Sequence, residues 1–521
     1  MKLKIGIISL WVCMLFIACY EDKGNYDLVD YNQITRISQD NTLSKTTVNL
    51  GDTVRIFPVI TWKYPDRDTT TAFDYTWKTT WAGDTLSKER NLEYIPQECG
   101  TFSFYLFVLE KATGVITRQS WSVSVNTPYL VGWVIASNIN DQPSLSYIRR
   151  DSWKDDDNKT HYYWTDYVNL YAELHPEAPL GPNKMLRASV YTNDYYDDEL
   201  VIFQEGGKAS VLNGLDFGKI LSLSDEFPGA GYPAGFVPKD FIRGGYCDFV
   251  LGENGEIYWR RNPNSSTMHH EVTFMDVPVY FPGGGAQVSH FFDINVNNAN
   301  FILMYDKLHK RFLACYTSYS SGNSYLGGKI DIINNYPSAE FANILNLDGY
   351  KLIYCGDHTN GTNFVNILKD ESSGKYIYQS YKLSGGYNSL TVTDATQEEF
   401  AGNDLVTDNT VFWRLRNAAY LYFGEGSKLY FYDTNTGRVK LYTDFGEGRI
   451  THLMQDAGGT RIGVGLDNGV FYLCEATSAE ILGAGDPGSV GILHQVSGLG
   501  EIVSLSWKWG GYYNLVFDRY Q

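Results

Sequence analysis

The thiol of Cys19 is the side chain whose surroundings point most directly to a defined reaction. Cys19 follows Ala18 at the end of an uncharged apolar run that begins at Ile5, and Lys2 and Lys4 precede that run. A positive start, a short apolar stretch and a small residue before cysteine are typical of a lipoprotein signal peptide. The sequence therefore predicts a signal peptide over residues 1–18 and acylation of Cys19, by palmitate among other chains. The alternative is an ordinary secretory signal in which Cys19 has no role.

Histidine and carboxylate side chains are the next candidates for chemistry, as metal ligands. Of nine histidines only His269 and His270 are adjacent, and neighbouring strand residues point to opposite faces. The acidic runs Asp155–Asp157 and Asp194–Glu199 lack the spacing of a calcium loop, so solvated surface charge is the favoured interpretation and calcium binding the alternative. The sequence predicts no metal site.

Motifs for nucleophilic or phosphate chemistry are absent from the sequence. It contains neither the GxSxG pattern of a serine hydrolase nor the GxxxxGK pattern of a phosphate loop. Paired carboxylates of a glycosidase converge only in space, so the sequence leaves that possibility open. We therefore expect a protein that is not an enzyme and that has no cofactor.

Aromatic residues are unusually abundant, at 15% of the chain, with forty tyrosines. Sheets favour aromatic residues, so many of them belong to strands. Others occur among polar residues, where an exposed ring could contact a sugar or an extended peptide. The predicted ligand-binding residues are Tyr162, Tyr163, Trp164, Tyr195, Tyr196, Trp507 and Trp509.

Charge and hydropathy exclude some classes of partner. The formal net charge of −18 argues against nucleic acid, because binding to phosphates requires clustered lysine and arginine. After the first apolar run no further segment is long and apolar enough to be a membrane span. We therefore expect membrane attachment through the N-terminal lipid only.

The strand pattern that must position these residues divides into two parts, which predicts an all-β chain. Residues 19–30 are interpreted as a lipidated tether. Residues 31–127 contain successive short alternating runs, which predict an immunoglobulin-like β-sandwich with Trp77 in its core.

Residues 128–521 repeat one pattern, a hydrophobic strand, a tight turn and another hydrophobic strand. The turns are centred near positions 141, 206, 254, 308, 373, 427 and 468. Repeats of this length with several strands per unit are typical of β-propeller blades. The sequence predicts a β-propeller with seven blades favoured, and two irregular β-sandwiches are the alternative.

The N-terminal string Cys19-Tyr-Glu-Asp-Lys-Gly-Asn-Tyr-Asp27 resembles the mature N-terminus of the PKD-like lipoproteins of Bacteroidetes. Looser similarities are Gly51-Asp52-Thr53 and Val131-Gly-Trp-Val-Ile-Ala-Ser137. The resemblance implies a PKD-like sandwich followed by a propeller-like region, in a surface lipoprotein that accompanies a SusC/SusD-like nutrient importer. Glu21 and Asp22 resemble the acidic export signal that directs such lipoproteins to the outer face of the outer membrane.

Three functions remain open at this stage. The favoured hypothesis is a non-catalytic accessory of the importer that binds peptide or glycan, docks on the transporter, or does both. The alternatives are a surface polysaccharide hydrolase or lyase built on a propeller, and a structural scaffold of a surface complex.

Overall fold

The structure is a computed structural model that divides into two units, Met1–Asn126 and Thr127–Gln521. For residues 188–190 and 198 it describes the backbone alone. No helix in the described part is long and apolar enough to cross a membrane. The described residues are 32–80, 83–97, 99–190, 198–243, 247–261, 272–283, 285–292, 301–317, 326–334, 341–358, 362–456, 458–478 and 491–508.

The N-terminal unit is a β-sandwich in which two long strands lie among shorter ones. Its main sheet has the order β2-β8-β7-β5, in which β2 and β8 are parallel, and two further pairs are β1-β4 and β3-β6. The strands are β1 (Ile34–Gln39), β2 (Thr47–Asn49), β3 (Val54–Ile56), β4 (Pro58–Trp62), β5 (Phe73–Lys78), β6 (Leu92–Tyr94), β7 (Gly100–Glu110) and β8 (Ile116–Asn126).

Alternation along β7 builds the core of this sandwich. Phe104, Leu106 and Val108 are buried, as the two-residue period of a strand requires. Trp77 of β5 is fully buried among them, and its indole N–H donates to the carbonyl oxygen of Glu89 at 3.1 Å. The predicted core position of Trp77 is confirmed.

The described residues of the second unit form seven sheets arranged as the blades of a β-propeller. The first four sheets run in the orders β11-β10-β9-β35, β12-β13-β14-β15, β16-β17-β18 and β19-β20-β21-β22. Their strands are β9 (Gly132–Ile139), β10 (Gln142–Lys154), β11 (Thr160–Tyr167), β12 (Asn183–Val190), β13 (Asp198–Gln204), β14 (Lys208–Asn213), β15 (Lys219–Ser222), β16 (Pro238–Arg243), β17 (Cys247–Gly252), β18 (Ile257–Arg261), β19 (Val288–Phe291), β20 (Phe301–Asp306), β21 (Arg311–Tyr316), β22 (Ile330–Ile332) and β35 (Glu501–Lys508). One short helix, α1 (Leu170–Leu174), follows β11.

The last three sheets have four strands each, in chain order. Their strands are β23 (Tyr350–His358), β24 (Asn363–Asp370), β25 (Tyr376–Ser384), β26 (Thr391–Glu399), β27 (Val411–Arg414), β28 (Tyr420–Glu425), β29 (Lys428–Asp433), β30 (Arg438–Asp444), β31 (Ile450–Gln455), β32 (Arg461–Leu466), β33 (Phe471–Glu475) and β34 (Ile492–Val496). The sequence-based prediction of an all-β chain with a seven-bladed propeller is confirmed.

Tight turns join the second and third strands of each blade, counted outward from the channel, at the positions that the sequence pattern indicated. Asn140 and Asp141 both have positive φ, at 50° and 61°, the geometry of a two-residue hairpin turn. Gly469 has φ of 78°, and a Cβ there would lie 2.7 Å from the carbonyl oxygen of Gly500. Glycine at this position therefore serves both the turn and a close approach of two chain segments.

The ring is closed by the C-terminal strand. β35 pairs antiparallel with β9, so that Trp507 lies opposite Trp133 and Lys508 lies opposite Gly132. The two indole rings pack edge to face, 5.1 Å apart, in a buried cluster that also contains Phe471 of the preceding blade. Lys508 is fully buried and its ammonium donates to the carbonyl oxygen of Leu130 at 2.8 Å.

We expect Trp507→Ala to destabilise the propeller by about 3–5 kcal/mol, because it leaves a cavity against Trp133 in the closing sheet. Urea unfolding followed by circular dichroism would measure the loss. The matched control is Trp153→Ala in β10 of the same sheet, where the ring is 55% exposed and the expected change is within about 0.5 kcal/mol. Equal losses for the two variants would contradict the assignment of Trp507 to the closing core.

Candidate functional site

The β10–β11 hairpin, defined by residues 142–167, carries the largest exposed aromatic side chains of the first blade. Its two strands pair without interruption from Tyr147 opposite Tyr167 to Lys154 opposite Thr160. Side chains alternate between the two faces of the hairpin. Tyr163 therefore lies on one face and Tyr162 on the other.

The first face presents Trp153 and Tyr163, which are 55% and 49% exposed. Trp153 stacks on the imidazole of His161, with ring centroids 4.6 Å apart and planes 18° apart. Nε2 of His161 lies 2.6 Å from Oδ2 of Asp155. This hydrogen bond lowers the pKa of the Asp155 carboxyl. The stacked pair is thus held by a carboxylate in the turn between the strands.

Asp155 also shapes that turn through its backbone contacts. Its Oδ1 accepts from the backbone N–H of Asp157 at 3.1 Å and of Lys159 at 2.8 Å. This carboxylate is therefore committed to hydrogen bonds within the turn, which fits the interpretation of the acidic run as surface charge. Across the described residues, no group of three or more His, Cys, Asp or Glu side chains is placed to hold a metal.

The second face presents Tyr162, which is 54% exposed, with the guanidinium of Arg150 4.6 Å from its ring centroid. Trp164 on the same face is half-buried and stacks on His494 of the neighbouring blade, with centroids 6.0 Å apart. His494 in turn contacts Oδ1 of Asp166 through Nε2 at 2.7 Å. Trp164 therefore fixes the base of the hairpin, while the Tyr162 ring is available at its surface.

The structure places the predicted binding residues in different environments. Tyr162 and Tyr163 are exposed side by side in β11, and Trp164 anchors them. The prediction that Trp507 binds ligand was wrong, because its ring is 5% exposed and packs in the closing core. The predictions for six further residues and for the His269–His270 pair lie outside the described residues: Tyr195, Tyr196, Trp509, Cys19, Glu21 and Asp22.

Two functional candidates were missed at the sequence level, Trp153 and Arg150. Trp153 lies opposite His161 across the hairpin, a relation that follows once the turn at 155–159 is recognised. The strand-turn-strand pattern around the acidic run therefore indicated this hairpin. Placing Trp153 opposite His161 also required the register of the two strands.

A second candidate site is the central channel of the propeller, which contains a cavity of about 270 Å³. It is lined by the innermost strands of six blades, β12, β19, β23, β27, β31 and β35. The lining residues are Arg187, His290, Phe291, Phe292, Ile353, Tyr354, Cys355, Val411, Phe412, Trp413, Thr451, His452, Leu453, Met454, Ser504 and Leu505.

An ion pair beside this channel, of which only Arg187 lines the cavity, ties three inner strands together. Nε of Arg187 in β12 donates to Oδ1 of Asp240 in β16 at 2.9 Å, and Oδ2 of Asp240 accepts from the backbone N–H of Phe291 in β19 at 3.0 Å. Asp240 is 2% exposed. Because removal of one partner would leave the other charge buried, this pair fixes the arrangement of the strands around the channel.

The channel histidines are neutral at physiological pH. Burial lowers the pKa of His452 to about 4, and desolvation by the surrounding protein also lowers the pKa of His290. Burial also raises the pKa of the Cys355 thiol well above its ordinary value, so that this thiol is protonated and unreactive. Beside the guanidinium of Arg187, the cavity thus offers neutral polar groups and aromatic rings.

Residues 19–173 match the model of the PKD-like family. The chain contains a PKD-like domain. The matched residues include all the strands of the N-terminal sandwich and also β9, β10, β11 and α1 of the first blade. The exposed hairpin therefore lies within the part of the chain that matches the family. No protein with a curated description matches the chain.

Several solved structures are similar in fold at low identity. A quinonprotein alcohol dehydrogenase-like protein from Bacteroides thetaiotaomicron is 12% identical, over 92% of this chain and 100% of that one, with a TM-score of 0.39. The β-propeller domain of Cps50 from Myceliophteria thermophila is 10% identical, over 61% and 88%, with a TM-score of 0.37. The propeller assignment of the region that follows the PKD-like domain rests on its own strand pairing.

The depressed pKa of His452 predicts an acid-sensitive propeller. Below pH 6.5 the unfolded chain binds a proton at His452, whereas the folded chain binds it only near pH 4. The free energy of unfolding therefore falls as the pH decreases between these values. At this half-buried site the loss is about 1 kcal/mol at pH 5. We expect His452→Gln to show a smaller fall in melting temperature between pH 7 and pH 5 than the unaltered protein, measured by calorimetry. Parallel curves would contradict the assignment.

Proposed function

We propose that this chain is a lipid-anchored, non-catalytic binding protein on the outer face of the outer membrane, accessory to a SusC/SusD-like importer. The observation that carries the proposal is the exposed aromatic hairpin, where Trp153, Tyr162 and Tyr163 are each about half exposed to solvent. Exposed rings on a rigid frame supply apolar contact area at low entropic cost, and Tyr also offers a hydrogen-bonding edge. The ligand class in this proposal is peptide or glycan.

Rigidity of the hairpin supports a binding role. The His161–Asp155 contact and the Arg150–Tyr162 contact hold the side chains on both faces, and the Trp164–His494 stack holds the base. Ordering of mobile side chains opposes association, so groups that are already held bind with a smaller loss of entropy. The hairpin is therefore suited to recognition by preformed contacts.

The chemistry of the central cavity favours binding over hydrolysis or elimination. Its lining, as far as the structure describes the channel, includes no aspartate or glutamate, whereas a glycosidase uses a pair of them. A general base is most effective with a pKa near the working pH, and a pKa of about 4 makes His452 a weak base. We therefore favour the binding protein over a polysaccharide hydrolase or lyase.

Membrane attachment in this proposal depends on Cys19. We expect the full chain to fractionate with outer membranes and its N-terminal peptide to carry acyl chains in mass spectrometry, because the residues before Cys19 have the lipoprotein pattern. Cys19→Ala removes the acceptor thiol and should abolish the acylated peptide and leave the unprocessed or soluble chain. An unmodified Cys19 thiol in the mature protein would overturn the lipid anchor.

Ligand binding should depend on the hairpin tyrosines. We expect Tyr162→Ala/Tyr163→Ala, in the full lipoprotein purified in detergent, to lose at least tenfold in affinity for the peptides, glycans or importer that the unaltered protein retains. Tyrosine is enriched among the few interface residues whose truncation costs about 2 kcal/mol or more. Calorimetric titration and pull-down of the importer provide the measurement.

The control for the tyrosine variant is Tyr280→Ala, which removes a ring that is 80% exposed in another blade and should leave affinity unchanged. Equal losses for Tyr280→Ala and the double variant would remove the hairpin from the proposal. Failure of the unaltered protein to bind any peptide, glycan or importer would overturn the function itself.

A further inference from the structure

The outermost strand of the first blade differs from its counterparts in the other blades. β11 has eight residues and pairs with β10 over eight consecutive positions without a bulge. The outermost strands β15, β26, β30 and β34 each pair with a register shift, and β22 has only three residues. A long regular edge is a ready template for another strand, and bulges or short lengths normally prevent such pairing.

The third blade protects its edge in another way. The backbone N–H groups of Met275 and Val279 donate to the carbonyl oxygens of Trp259 and Ile257, at 2.9 and 2.7 Å, so that residues 275–279 cover β18. For β11, the described part of the chain supplies no strand on the side away from β10.

Composition distinguishes β11 as well. Its sequence, Thr-His-Tyr-Tyr-Trp-Thr-Asp-Tyr, has no lysine, arginine, proline or glycine and is rich in residues that favour strands. By contrast β30 carries Arg438 and Lys440, and β26 carries Asp394 and two glutamates. Charged residues on an edge strand oppose the addition of another strand. β11 therefore lacks the register shift or short length of the outer strands β15, β22, β26, β30 and β34, and it carries a single charged residue, Asp166.

We propose that β11 binds an extended peptide as a fifth strand of the closing sheet. This inference rests on the proposed binding function and names its ligand class and its site. Every second residue of β11 turns its backbone N–H and C=O away from β10, and these groups form a ladder that another extended backbone can complete. The ladder selects a polypeptide over a glycan, because sugar hydroxyls do not repeat with the spacing of peptide groups.

Side chains on the two faces of β11 would contact the added strand. Tyr162 lies on one face and Tyr163 on the other, so alternate residues of a bound peptide meet one ring on each face. Apolar residues at alternating positions fit both rings. The edge thus supplies affinity through the backbone and preference through the two tyrosines.

Charge favours a neutral or basic peptide over a second copy of this chain. The formal net charge of −18 opposes close approach of two copies. Asp155, Asp156 and Asp157 at the tip of the hairpin outnumber Lys154 and Lys159 beside them, and Asp166 near its base adds a further acidic group. Lysine or arginine in the bound peptide would be attracted to both ends of the strand.

The test compares three probe peptides on the full lipoprotein in detergent. The first is an eight-residue peptide, the length of β11, that alternates valine with lysine or threonine. The other two have the same sequence with N-methyl groups on every second residue, and each blocks a different one of the two hydrogen-bonding edges of the peptide. We expect the unmethylated peptide and one methylated form to bind, and the other methylated form to lose at least tenfold in affinity.

Hydrogen exchange measured by mass spectrometry locates the bound strand. We expect the unmethylated peptide to slow exchange of the β11 amides and to leave β30, an outer strand with two basic residues, unchanged. Equal binding of all three peptides, or protection elsewhere than β11, would overturn strand addition. Sedimentation that shows a dimer with β11 protected in the absence of peptide would assign the edge to a second copy and also overturn it.

The outcomes separate this inference from the proposed function. Binding of glycan or importer that depends on Tyr162 and Tyr163, with no protection of β11 by peptide, leaves the binding function standing and removes the strand-addition site. Absence of binding to peptides, glycans and importer removes both. Peptide binding that requires the tyrosines but tolerates methylation on either edge shows recognition by side chains alone.

Discussion

Closure of the ring by β35 is the constraint on which the rest of the propeller depends. A blade buries its two faces against its neighbours, so an open series of seven sheets would leave the first and last faces in water. Pairing of β35 with β9 places the C-terminal strand innermost in the sheet that begins the propeller. The buried pair Trp133 and Trp507 then joins that sheet to Phe471 of the last blade. The ends of the propeller are thereby tied through backbone pairing and aromatic packing.

Closure of the ring also determines which strands can differ in sequence from blade to blade. The innermost strands are fixed by one another around the channel, through contacts such as Arg187 with Asp240, and their side chains serve the packing of neighbouring blades. Among the described strands, each outermost strand pairs with another strand on one side only, so these strands can differ in length, register and charge. The aromatic hairpin of the first blade lies at this freer periphery, which is where a binding surface can form without loss of the ring.

Local pattern was sufficient to predict the blades from the sequence. Each hairpin recognised by two hydrophobic runs and a turn is the pair of middle strands of one blade, and those strands are the most regular and most buried. The closing contact could not be predicted in this way, because Trp133 and Trp507 meet only when the whole ring has formed. The lysine beside Trp507 made this segment read as polar and exposed, whereas Lys508 is buried and its ammonium donates to a carbonyl oxygen.

The binding surface was predictable to the same extent. Tyr162 and Tyr163 were recognised from composition, but Trp153 and Arg150 belong to the partner strand, and their role depends on register. The channel residues His290 and His452 are far apart in sequence and converge only through the fold.

An exposed regular edge must be compatible with a soluble folded protein, and the surroundings of β11 provide that compatibility. Unpaired N–H and C=O groups at the edge are hydrated, so they cost little while water has access to them. The acidic tip at Asp155–Asp157 and the net charge of the chain oppose pairing between copies. Meanwhile the His161–Asp155 contact and the Trp164–His494 stack keep the strand extended. The β11 edge is thus already extended when an incoming backbone reaches it. Negative charge opposes its pairing with a second copy of the chain, rather than the bulges and short lengths found in the other blades.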